Sequence, residues 1–183
     1  LGALVLGTQT GRSAAATAAK IGALALIGGL AYKAYQNYAE GRPMIGGNFV
    51  PEEAPRGSGF EPGAVTNDTA TLYIRAMIGA AAADGRIDGA EQQKILGSLK
   101  QAGVDDEAEE FLAHELNNPA TPRDLIGQVR TPEQAVQVYT AARIAIEPDT
   151  HGEQAFLAEL AAGLGIDRQL AAHVDAAARS ASA

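Results

Sequence analysis

The chain contains no cysteine and no tryptophan, and only four Phe and five Tyr in 183 residues. Without cysteine there are no disulfides, no thiolate zinc sites and no cysteine nucleophiles, and redox chemistry says nothing about compartment. With so few rings, an interior must be closed by Ala, Leu and Ile at close helix spacing, which suits helix-on-helix packing. No cluster of Lys and Arg interleaved with aromatics occurs, and the net charge is -8, so a phosphate backbone would be repelled and nucleic acid is not an expected partner. His114, His151 and His173 lie in separate segments without i, i+4 pairing or a neighbouring nucleophile, and Gly85, Gly89 and Gly97 do not form a phosphate loop. The expectation is therefore a protein that is not an enzyme.

Charge is divided unevenly along the chain. Residues 1–42 hold Arg12, Lys20, Lys33 and Arg42 against Glu40 alone, a net of +3, which leaves -11 for the remainder. The chain opens on Leu1 inside an already apolar stretch, which suggests that the natural N-terminus lies further upstream. Ser13 to Tyr32 is rich in Ala, Gly, Leu and Ile, with Lys20 as its one charge. That length suffices to cross a hydrocarbon core of roughly 30 Å as a helix. Small residues one turn apart, Ala18 with Gly22 and Ala25 with Gly29, would let two such helices approach closely, and Tyr32, Lys33, Tyr35 and Tyr38 form an interfacial flank. Residues 1–39 are thus expected to be an apolar membrane-associated helix, with a soluble, Ala-rich helix that packs on the domain or on a copy of itself as the alternative. Residues 40–66, rich in Gly and Pro, are expected to be a flexible linker.

From 67 to 183 apolar residues recur at helical spacing, and breakers fall where helices should stop. Ile74, Met77, Ile78 and Ala81 mark the face of a first helix, Ile95, Leu96 and Leu99 that of a second, and Phe111, Leu112 and Leu116 that of a third. Thr121-Pro122 and Thr131-Pro132 each set a capping hydroxyl before a proline at the first helical position. A long helix follows with Ala135, Val138, Tyr139, Ala142 and Ile146 inward, then one with Phe156, Leu157, Leu160 and Leu164 stopped by Gly165, and a last one with Leu170 and Val174. The expectation is an all-α bundle of about seven helices.

Two stretches look like copies of one helical hairpin, AMIGAAAADGRIDGAEQQKILGSLKQAGVD (76–105) and ARIAIEPDTHGEQAFLAELAAGLGID (142–167). Acids gather at their turns: Asp84, Asp88 and Glu91 in the first, Glu147, Asp149 and Glu153 in the second. Such oxygen ligands suit calcium, magnesium or manganese. The same spacing fits capping boxes, Asp88-x-x-Glu91 and Thr150-x-x-Glu153, whose side chains would satisfy free N–H groups of the following helix. An EF-hand counted from Asp84 fails, since Arg86 stands at the third place and Ile95 at the twelfth. The candidate cation ligands are Asp84, Asp88, Glu91, Asp149 and Glu153.

The AAAADGRIDGAEQQKIL stretch and its echo IEPDTHGEQAFLAELAAGLGID resemble the TerB-like (tellurite-resistance) helical fold. The GGLAYKAYQNY segment ahead of a linker looks like the YebE-type bacterial inner-membrane proteins of unknown function. The resemblance implies an all-α domain, an inner-membrane location, a role in envelope or metal and oxyanion stress, and an acidic metal site carried over most directly to Asp84, Asp88 and Glu91. Together these readings describe a membrane-associated, non-catalytic helical module that binds a divalent cation or a protein partner. The alternative is a soluble scaffold that oligomerises through its N-terminal helix.

Overall fold

The computed structural model describes residues 9–47, 49–85, 87, 89, 93 and 106–182, with side-chain positions described from Leu24 to Ala181. Among the described residues there are seven α-helices, one short 3-10 turn (Pro62–Ala64) and no strand: α1 (Gln9–Ala39), α2 (Asn67–Ala81), α3 (Asp106–Asn117), α4 (Pro122–Ile126), α5 (Pro132–Ile144), α6 (His151–Leu164) and α7 (Arg168–Ser182). The helix expected around Ile95, Leu96 and Leu99 lies outside the described residues, and with it the second half of the first hairpin repeat.

Hydroxyl caps set the helix starts. Thr66, Thr121, Thr131 and Thr150 each accept a hydrogen bond from the backbone N–H three residues on, which satisfies one of the donors a helix start leaves free. Pro122 and Pro132 then occupy the first helical position. Gly165 closes α6 at φ 72°, the left-handed conformation that a side chain disfavours.

The core forms around α5, which is buried on every side from Ala135 to Arg143. The expected stripe of Ala135, Val138, Tyr139 and Ala142 is inside, but so are its flanks, because α1, α2, α6 and α7 all pack against this helix. Arg143 is held there by two contacts, its Nε to Asp175 Oδ1 of α7 at 2.9 Å and its Nη1 to the Ile146 carbonyl at 2.8 Å. On α2 the sequence reading needs correction. Leu72, Tyr73, Ala76, Gly79 and Ala80 face inward, whereas Ile74 and Ala81 are exposed. Close approach decides it: a Cβ on Gly79 would stand 2.5 Å from the Ala120 carbonyl and 3.1 Å from the Phe156 ring, so the small ridge of α2 is what its neighbours require.

α1 departs further from expectation. Among the described residues no helix is long and apolar enough to cross a membrane. Ala and Gly dilute the hydropathy of α1, and its C-terminal half is committed to protein: Leu30, Ala31 and Ala34 are fully buried, packed with Val174 and Ala177 in one core. Tyr38 donates to Asp167, the residue just before α7, and its ring meets His173 edge-on at 6.1 Å, so α1 and α7 run antiparallel.

The segment expected to be a flexible linker is a strap laid back along α1. Asn37 Nδ2 donates to the Pro43 carbonyl, and Gly41 takes φ 63° as the chain reverses. A Cβ on Gly29 would lie 2.1 Å from the Glu52 carbonyl, and one on Gly28 would lie 2.0 Å from that of Phe60. The two glycines therefore form a trough in which backbone replaces side chain. Phe60, 2% exposed, sits between Tyr32 and Tyr35, both at ring-centroid distances of 5.8 Å. Gln137 of α5 donates to the Gly59 carbonyl, and the Glu61 carboxylate gathers the N–H groups of Gly57 and Gly59 with the Ser58 hydroxyl. Gly and Pro here serve tight turns and close approach, a use that composition cannot separate from flexibility.

Candidate functional site

The two acidic turns do adjoin. Gly152, in the first turn of α6, lies so close to the end of α2 that a Cβ there would stand 2.3 Å from the Ala83 carbonyl and 3.1 Å from the Asp84 Cα. Asp84 and Asp149 are both exposed, whereas Glu153 is 8% exposed. Glu153 closes a capping box: its Oε2 accepts from the Thr150 backbone N–H at 3.1 Å and from the Thr150 hydroxyl at 2.9 Å, while Thr150 Oγ1 accepts from the Glu153 N–H at 3.2 Å. Burial alone would push its carboxyl up, but these bonds and the Asp149 N–H outweigh burial and hold it below the usual carboxylate range. Of the two roles the sequence leaves open for Glu153, the cap is occupied. Among the described residues no three His, Asp or Glu side chains stand together as a metal-holding group. Asp88 and Glu91 lie outside the described residues.

Sequence reasoning passed over a polar cleft of about 510 Å³ between α2, α3 and the start of α5, lined by Asp68, Thr69, Arg75, Glu115, Arg130 and Gln134. Arg75 Nε donates to Glu115 Oε1 at 3.0 Å, and Glu115 is only 4% exposed. The charge of this buried carboxylate is thus balanced across two helices. Gln134 bridges the far wall, accepting from the Arg130 N–H and donating to Thr69 Oγ1. The partners are 40 residues apart in sequence, and no local pattern announces the pair.

A second surface surrounds the point where the strap leaves α1. Gly22, Ala25, Leu26, Pro51, Glu52 and Glu53 line a notch of about 250 Å³. Gly22 is open, with nothing within 4 Å of a Cβ built on it. Leu26 is 36% exposed and Val50, next to the notch in sequence, 75%. Glu52 and Glu53 are exposed and make no ion pair among the described residues. The small-residue face expected on α1 is therefore divided: the Ala25 to Gly29 end receives the strap, and Gly22 lies beyond it.

Comparison with known proteins leaves the role open. Residues 1–178 match a family described as a protein of unknown function (DUF533). A relative described as "Uncharacterized protein in ampR 5'region", from Yersinia enterocolitica, is 25% identical over 97 residues, which cover 53% of this chain and 70% of the relative. No solved structure matches the chain.

Proposed function

Since the chain belongs to the DUF533 family, whose function is unknown, its task has to be argued from its own geometry, and we propose that it is a non-catalytic helical module that docks a protein partner through the face of α1 around Leu26. One observation carries this reading. Leu26 of α1 is 36% exposed and Val50 of the strap 75% exposed, beside a notch of about 250 Å³ lined by Gly22, Ala25, Leu26 and Pro51. Apolar side chains exposed together beside an open notch have surface that a protein groove or a helix can cover.

The proposal also draws support from how the polar groups are used. Glu153 and Asp124 serve caps, Arg143 and Asp175 tie helices together, and Asp167 holds both Tyr38 and the start of α7. The TerB-like arrangement of two related hairpins forms part of this reading, supported by α5 and α6 with their capped turn. A photo-reactive residue at Leu26 tests the docking role in cells producing the full chain. We expect a protein adduct from position 26 and none from exposed Glu159 on α6. Equal labelling at both positions, or none at either, would remove the docking role.

A further inference from the structure

We propose that the polar cleft between α2, α3 and the start of α5 is a binding site for a free α-amino acid, held with its ammonium on Glu115 and its carboxylate between Arg75 and Arg130. The inference is independent of the docking face around Leu26. It starts from an ion pair that is only half made. Arg75 Nε donates to Glu115 Oε1 at 3.0 Å, and the exposed His114 stands with its Nδ1 3.8 Å from that same oxygen. Glu115 Oε2 is buried and accepts no hydrogen bond among the described residues. A guanidinium laid side-on against a carboxylate makes two bonds and satisfies both oxygens, but here Arg75 uses its Nε alone. A carboxylate oxygen deprived of both water and donor carries a desolvation cost. With Glu115 at 4% exposure, that cost persists until a donor arrives from the cleft it lines.

The cleft decides what the donor can be. A divalent cation needs several oxygen ligands, and two guanidinium groups line the same space. A plain anion would meet Glu115 and Asp68. Two cations and two carboxylates around about 510 Å³ call instead for a small ligand carrying one charge of each sign a short distance apart. An α-amino acid has that form. Its ammonium offers three donors, one of which completes Oε2, and its carboxylate presents two oxygens to guanidinium groups. Arg130 is exposed and makes no ion pair among the described residues, so its charge is available for that carboxylate. Arg75, tethered by Nε and partly exposed, turns its Nη groups onto the carboxylate and leaves the way to Oε2 open. Gln134 and Thr69, bonded at 3.2 Å, tie α5 to α2 and hold the cleft at fixed width.

Isothermal titration calorimetry of the full chain tests this, with the standard L-amino acids offered singly and with ethylammonium and acetate as probes of one charge each. The expected result is heat of binding for at least one amino acid and none for ethylammonium or acetate at the same concentration. Arg130→Ala, whose side chain ties down nothing among the described residues, is expected to weaken that binding about tenfold or more. Glu115→Gln, whose amide oxygen stays with Arg75, sets an N–H donor where the ammonium must sit and is expected to abolish binding. Thermal melting followed by circular dichroism shows whether each variant folds, and if Glu115→Gln does not, Arg130→Ala decides alone. No heat with any amino acid overturns the proposal, as does equal binding of ethylammonium or acetate, or binding untouched by Arg130→Ala. Cross-linking at Leu26 tests the docking role separately, and neither result bears on the other.

Discussion

The polar residues of this chain are spent mostly on local jobs, and the local ones were the legible ones. Thr150-x-x-Glu153 can be read as a capping box from its spacing, and both of its reciprocal bonds are present. The Arg75–Glu115 pair and the buried His173 could not be read, because only tertiary packing decides that they lie inside. Four carboxyls are held below their ordinary values: Asp167 by the Tyr38 hydroxyl and the N–H groups opening α7, Asp124 by Thr121, Glu61 by its own backbone N–H and that of Gly57, and Glu153 by Thr150 against its own burial. A depressed folded-state value means that stability is present above the ordinary 3.8 of Asp or 4.5 of Glu and is lost as pH falls through the lower folded values. Chemical denaturation followed between pH 7 and pH 2 should show stability flat down to the carboxylate range and falling below it. In Tyr38→Phe, which removes the donor to Asp167, the protein should be less stable at pH 7 and the fall toward pH 2 smaller, because the folded-state value of Asp167 moves back toward its unfolded one. A profile unchanged by this substitution would mean that the Tyr38 bond does not set the Asp167 value.

Element starts and stops follow from rules that act within a few residues, so Thr121, Thr131 and Gly165 appear where the spacing places them. Faces were less legible. Periodicity assigns Ile74 and Ala81 inward on α2, but the Ala120 carbonyl and the Phe156 ring of α6 approach so closely that the Ala76, Gly79 and Ala80 side wins. The strap was misread for a related reason: Gly57 and Gly59, at φ 81° and 80°, bend the chain around the Glu61 carboxylate, and their composition reads as looseness. A direct consequence is that Gly29→Ala cannot be neutral. Its new Cβ would meet the Glu52 carbonyl at 2.1 Å, a backbone atom that can yield only if the strap lifts. The expected cost is about 1–3 kcal/mol by urea denaturation, with faster amide exchange through residues 49–60. Gly22→Ala, where nothing stands within 4 Å, should leave both unchanged.

At the scale of the whole molecule, the all-α class was legible from composition and periodicity, but the division into an N-terminal helix, a tether and a separate bundle was not. The reason is physical. A helix built of Ala, Gly and Leu has the same hydropathy whether it faces lipid or neighbouring helices, and only long-range contacts decide. Here Ile27, Leu30, Ala31 and Ala34 share a core with Val174 and Ala177. A chain lacking residues 1–39 should therefore expose the α5 and α7 surfaces that α1 covers and lose its cooperative thermal transition. A sharp transition retained by residues 40–183 would show instead that the remaining helices suffice.

The bond between Tyr38 and Asp167 joins positions 129 residues apart, so α1 finds its mate only after the whole of the chain between them has been made. At roughly 5–20 residues per second, that interval is on the order of ten seconds. During that wait Leu30, Ala31 and Ala34 have no α7 to shelter them. Until α7 is made the nascent chain is an unfinished bundle, presenting an oily helix to chaperones and to lipid, and it can close only once Asp167 and the residues beyond it have left the ribosome.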